Sequence, residues 1–327
     1  MRRRGTFGLL AVLLAGLLGH AMPGTVRADK SLADRGKSHW AFQPIRPQAL
    51  PSVRDRHWVR SPIDAFVLAR LEADGLRPAP PADKRILLRR VYLDLIGLPP
   101  TPADQRAFLA DNSPDAFAKV VDRLLARPDY GERWGRHWLD VVRYAESNGY
   151  ERDGAKPSAW RYRDYVLDAF NADKPYDRFV QEQVAGDELP GWNSRTQIAA
   201  TFLRLGTWDD EPANPAVDRY DQLDDVLGVT ATAFLGLTIR CARCHNHKFE
   251  PFSQADYYRL LAVFQPLKRP QVARKELDWA IGNDEEQAAW KKRGQETLKA
   301  YVWYEGGSKA PVTRLLKRCL LYTSDAA

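Results

Sequence analysis

The sequence predicts a mainly α fold, an irregular multi-helix bundle with a C-x-x-C-H motif at a helix C-terminus. Three observations predict it. Apolar residues recur at three- and four-residue steps through most of the chain. Cap residues followed by proline, and glycines beyond the last apolar position, punctuate those runs. No convincing alternating strand longer than four residues interrupts them.

The elements follow in order. Residues 29–60 are polar and Pro-bearing, an extended lead-in. Ser61 caps a helix with Pro62 at its first position, Ile63, Phe66, Val67 and Leu71 share a face, and Gly75 ends it. A second helix over 83–96 carries Ile86, Leu87, Val91, Leu93 and Leu95 and stops at Gly97 and Pro99-Pro100. Short helices start at Thr101 and Ser113, each with proline after the cap. Over 130–146, Trp134, His137, Trp138, Val141 and Tyr144 form one stripe. Further helices are expected over 157–170, 175–184, 195–205, 221–239 and 254–264. Beyond these, 266–300 reads as a charged helical linker, and 301–318 as a short β-prone segment with a Gly306-Gly307 turn.

The N-terminus reads as a signal peptide over 1–28. Arg2, Arg3 and Arg4 precede an apolar stretch from Phe7 to Leu18, and Val26-Arg27-Ala28 offers a cleavage site. The expected location is therefore outside the cytoplasm, in the periplasm or at the cell surface. After cleavage no stretch approaches membrane length.

The 327 residues carry 49 Lys and Arg against 42 Asp and Glu. Residues 1–28 hold four arginines and no acid, so the remainder has 45 bases against 42 acids, a net +3. That is too mild for a nucleic-acid partner. Three cysteines exclude a disulfide scaffold, and ten tryptophans supply much flat aromatic surface.

The chemistry concentrates at Cys241-Ala242-Arg243-Cys244-His245. This spacing is the attachment signature of haem c: Cys241 and Cys244 would form thioethers, and His245 would be the proximal iron ligand. Met1 and Met22 are the only methionines and both leave with the signal, which excludes a methionine sixth ligand within this chain. His137, His39, His57 and His247 are the candidates. His247 follows His245 too closely to reach the opposite haem face, and His137, between Trp134 and Trp138, is preferred as distal ligand or pocket wall. The bland reading of His137 is a core histidine satisfied by a hydrogen bond. Two rival readings of the motif stay open. Cys241, Cys244, His245 and His247 could hold zinc or iron without haem, or Cys241 and Cys244 could join as a disulfide. Asp209, Asp210, Glu211, Asp221, Asp224 and Asp225 precede the motif and read as a solvated acidic face rather than a calcium site.

Several longer runs carry a resemblance: His39-Trp40-Ala41-Phe42, Pro62-Ile63-Asp64, Asp94 to Thr101 as DLIGLPPT, Tyr130-Gly131-Glu132-Arg133-Trp134, Arg136-His137-Trp138-Leu139-Asp140, Arg143 to Ser147 as RYAES, Asn148-Gly149-Tyr150, and Gly236-Leu237-Thr238. Over 39–264 the chain resembles the planctomycete cytochrome c-type family, a domain of unknown function (1549). The resemblance implies an exported protein with a second domain C-terminal to this one, of which 301–318 would be the truncated start. Residues 319–327 resemble the translation of a transposase adaptor used in sequencing libraries and are set aside as an artefact. The function expected is an exported redox module of a multidomain protein, with a redox partner and carbohydrate from polysaccharide breakdown as candidate partners. The alternative is a metal-bound or disulfide-stapled surface binding or structural module.

Overall fold

The computed structural model describes residues 34, 36–305 and 311–316. The expected signal peptide and the 319–327 tail lie outside the described residues. Helices dominate, as the periodicity predicts.

The first helices form where their caps dictate. α1 (Pro62–Ala73) starts from Ser61, whose hydroxyl accepts from the Asp64 amide while Asp64 reaches back to the Ser61 amide. α2 (Lys84–Leu95) starts from Asp83, and α3 (Pro102–Ala110) from a Thr101–Asp104 capping box. α4 (Ala116–Leu125) begins later than Ser113 suggests, because Asp111 and Ser113 first close a turn. Leu88, Tyr92, Ile96, Phe108, Val120 and Leu124 bury a small core between α2, α3 and α4.

The α1 face misleads. Ile63, Phe66 and Val67 are exposed, and the helix instead buries Ala65 and Leu68.

α5 (Pro128–Val141) and α6 (Trp160–Asn171) pack along much of their length. Glycine is the reason. A Cβ at Gly131 would stand 2.5 Å from the Leu167 carbonyl oxygen, and one at Gly135 would stand 3.0 Å from Leu167 Cδ1. The Gly131 amide donates to Asn171 Oδ1 at 2.8 Å. The stripe expected on this helix is therefore displaced: Val141 and His137 are exposed, and only Trp138 of that set packs against the main core on α5. The helix also ends before 146, where Arg143 adopts a left-handed φ of 55°.

α7 (Tyr176–Ala185), α8 (Ser194–Ala199) with a following 3-10 turn (Ala200–Arg204), α9 (Pro215–Thr230) and α10 (Gln254–Phe264) complete the body. Tyr162, Val166, Phe202, Leu223, Val226 and Leu261 lie at the centre of its core. Trp138 Nε1 donates to Tyr162 Oη and Gln183 Oε1, both at 3.1 Å, so the indole is anchored in polar as well as apolar terms.

The span 266–300 is not a charged helical linker. Its helix is confined to α11 (Asp284–Lys292), and six two-residue strands pair antiparallel around it. β1 (Leu267–Lys268) pairs β6 (Tyr304–Glu305), β2 (Gln271–Val272) pairs β3 (Lys275–Glu276), and β4 (Trp279–Ala280) pairs β5 (Lys299–Ala300). This annex is fastened to the helices. Arg204, fully buried, donates to the carbonyls of Leu277 (2.9 Å), Val302 (3.0 Å) and Pro270 (3.2 Å). Ser194 donates to Glu286, and Gln197 accepts from the Gly282 amide. Trp303 and Leu316 enter the main core and tie their segments to the helical body. Among the described residues no helix is long and apolar enough to cross a membrane.

Candidate functional site: the C-x-x-C-H turn

α9 does not run into the motif. After Thr230 the helix widens into a π turn (Ala231–Leu235), where Thr232 Oγ1 donates to the Gly228 carbonyl at 2.9 Å. Gly236 then stops it with φ 64°, a conformation that costs glycine little and other residues about 1 kcal/mol. The motif sits beyond this break in a separate 3-10 turn (Ile239–Arg243). The expectation of a motif at a helix C-terminus is thus corrected: Gly236-Leu237-Thr238 intervene.

The turn is pinned by the residues between the ligand positions. Ile239 and Ala242, three apart and so on one face of a 3-10 turn, are buried in the main core. That turns Cys241, Cys244 and His245 outward, and all three are exposed.

A bracket of arginines and aspartates lies beneath. Asp221, Asp224 and Asp225 share one face of α9. Arg243 donates to Asp221 at 2.6 Å, Arg240 to Asp225 at 3.0 Å, and Arg143 reaches Asp225 from α5's end at 2.7 Å. Tyr257 donates to Asp224 at 2.6 Å, and burial together with that carboxylate pushes its phenol up. These acids are therefore counter-charges that seat the turn. Asp210 and Glu211 pair instead with Arg152.

The two histidines of the turn differ in kind. His245 is exposed, and its Nδ1 lies 2.7 Å from the Asn246 carbonyl oxygen. A carbonyl only accepts, so Nδ1 carries the proton and Nε2 is left with its lone pair. His247 is buried. Its Nδ1 accepts from the amides of Glu250 (2.8 Å) and Phe249 (3.3 Å), and its Nε2 faces Thr238 Oγ1 at 3.4 Å. Both of its nitrogens serve the loop. Sequence reasoning set His247 aside on spacing; the structure supplies a stronger reason.

Residues outside the motif complete the loop and were not singled out from sequence. Glu250 accepts from the Thr238 hydroxyl at 2.9 Å, and its Oε2 is buried with no hydrogen-bond partner. Gln254 donates to the Arg243 carbonyl at 2.9 Å, and Asn246 accepts from the Gln254 amide at 2.9 Å. Only the S-x-x-D capping box at Ser253 and Asp256 signalled an ordered segment there.

Cys241 is a free thiol, so the two cysteines of the motif are not joined to each other. Among the described residues no three His, Cys, Asp or Glu side chains assemble a metal site, and Cys241, Cys244, His245 and His247 are not brought together as one. His137 is exposed on α5, its ring edge against Trp134 at 5.6 Å between centroids. Its neighbour Trp138 meets Phe234 of the π turn at 5.7 Å, which places α5 beside the approach to the motif. His39 accepts from the Ala41 amide and packs on Trp40 and Phe42, and His57 is exposed in a turn.

A family model, PSCyt2, described as a protein of unknown function (DUF1549), matches residues 62–269. The chain belongs to that family. No curated protein and no solved structure matches.

Proposed function

We propose that this member of the PSCyt2 family is an exported module that carries haem c and serves electron transfer or haem-dependent oxidation. The observation that carries the reading is the contrast at His245 and His247. An imidazole bound to iron through Nε2 commonly donates its Nδ1 proton to a carbonyl, and His245 has that arrangement while His247 does not. Cys241 and Cys244 precede it, exposed, on and just after a turn fixed from below by Ile239 and Ala242.

These residues fit the group. Cys241, a free thiol, would hold the group by adding its S–H across one vinyl C=C, and Cys244, disulfide-bonded in the structure, would do the same at the other vinyl only after a thiol reductant has opened that disulfide. His245 would ligate through Nε2, and Asn246 would hold the ring's orientation. Arg240 and Arg243, next to the cysteines in sequence, are largely neutralised by Asp225 and Asp221. Haem c, when bound, supplies one-electron chemistry. His137, exposed on α5, is the candidate for a further residue that would hold the group.

Expression in a host with cytochrome c maturation machinery tests this. Haem-stained denaturing gels are expected to show covalent haem in the wild type, one thioether at most in Cys241→Ala, and retained haem in His247→Gln. A wild-type chain with no covalent haem would falsify the proposal. For the axial position, His137→Ala is expected to convert low-spin to high-spin ferric iron in electron paramagnetic resonance, and an unchanged spectrum removes His137.

A further inference from the structure

A cavity of about 320 Å³ opens between α5, α6 and α7, with none of the motif residues in its lining. Tyr130, Trp138, Phe170, Tyr176 and Phe179 give it aromatic walls, and Asp173 and Lys174 stand with them. Trp138 spends its N–H on Tyr162 and Gln183, so it offers the cavity only hydrocarbon ring. Tyr176 is exposed although aromatic.

Asp173 breaks two local rules. It occupies the left-handed position (φ 47°) that closes α6, with its amide on the Phe170 carbonyl and the next amide on that of Ala169. Glycine or asparagine is the usual occupant there. A carboxylate at a helix C-terminus also opposes the helix dipole. Among the described residues this carboxylate makes no hydrogen bond or ion pair. Departures from local preference without structural return concentrate where function demands them.

We propose that this cavity binds one neutral sugar ring. Asp173 disfavours an anion. Lys174, whose ammonium is paired to Glu182 and lies 4.7 Å from the Tyr165 centroid, disfavours a simple cation. Both disfavour a wholly apolar ligand. A pyranose satisfies what remains: its C–H face packs on the aromatic walls, and a hydroxyl donates to Asp173. The volume is at the small end of the ~300–1,000 Å³ typical of ligand pockets, which limits the occupant to about one ring. The site is independent of the haem reading and stands whether or not the cysteines carry haem.

The test titrates the full chain with methyl β-glucoside, methyl β-galactoside, methyl α-mannoside and methyl β-xyloside, read by tryptophan fluorescence and saturation-transfer NMR. At least one is expected to bind with a dissociation constant in the millimolar range. Tyr176→Ala and Asp173→Gly are each expected to weaken it about tenfold, a loss of about 1.4 kcal/mol. Asp173→Gly is also expected to raise the melting temperature, since it relieves the backbone. That opposite movement separates a binding role from a structural one. No binding by any of the four overturns the proposal, as does binding that both variants leave unchanged, or binding of choline in place of every pyranoside.

Discussion

Two clusters of arginines and carboxylates hold this molecule, and they are built on opposite plans. Under the motif, Arg143, Arg240 and Arg243 meet Asp221, Asp224 and Asp225, three charges against three, with Arg240 and Asp221 half in water (52% and 54% exposed side chains). Under the annex, Arg204 and Arg269 share the single carboxylate of Glu276, with Lys156 buried nearby and bonded only to the carbonyls of Leu205 and Gly206. Arg204 and Glu276 are dry (0% and 8%). The excess positive charge is met by backbone carbonyls and by the Tyr301 ring, 3.8 Å from the Arg204 guanidinium carbon. A balanced, wet cluster adjusts position at little energetic cost. An unbalanced, dry one commits the fold, because each member leaves the others exposed to a full desolvation penalty. The turn that carries the C-x-x-C-H motif thus rests on the weaker of the two.

The largest effect should come from the dry cluster. Burial works to raise the Glu276 carboxyl, but Arg269 and Arg204 outweigh it and hold it below the usual range. Glu276→Ala is expected to lose about 3–5 kcal/mol in urea unfolding, the cost of stranding buried charge. A loss near that of a surface pair would show that water reaches the cluster and would erase the contrast.

Lys156 gives the next effect. Burial pushes its ammonium down to about 8 from 10.5, with Glu276 opposing and Arg269, Arg143 and Arg204 adding to the depression. Between those values the unfolded chain binds more protons than the folded one, so stability should rise as pH increases through that window. The ceiling is about 3 kcal/mol. Lys156→Met should flatten the slope relative to wild type, and an identical slope in both would show that Lys156 is solvated.

The wet cluster should respond least. Asp221→Asn is expected to cost under about 1 kcal/mol, and less in high salt. A salt-independent loss of several kcal/mol would place that pair in the dry class as well.

The legible parts of the fold were those written in local chemistry. Ser61, Asp83 and Thr101 announced their helices because a cap is a contact between near neighbours in sequence. The face of α5 was illegible because Gly131 and Gly135 contribute absence of bulk, which apolar periodicity does not count. The annex was illegible because its two-residue strands are too short to alternate and its charged surface conceals Ile281, Ala300 and Val302. At the motif, residue types and spacing were plain in the sequence. The π turn, the Arg–Asp bracket and the Thr238–Glu250 contact were not, since each joins side chains whose pairing depends on the path of the chain between them.

The outward setting of Cys241, Cys244 and His245 bears on the order of events in biogenesis. Small proteins built around a prosthetic group often cannot fold before it arrives. Here Tyr162, Val166, Phe202 and Leu223 close the core with side chains alone, and the three motif residues stand outside it. Under the proposed haem attachment, a maturation enzyme would meet these residues on the surface of a finished body. Loading and folding would then be separate steps, each free to fail without the other.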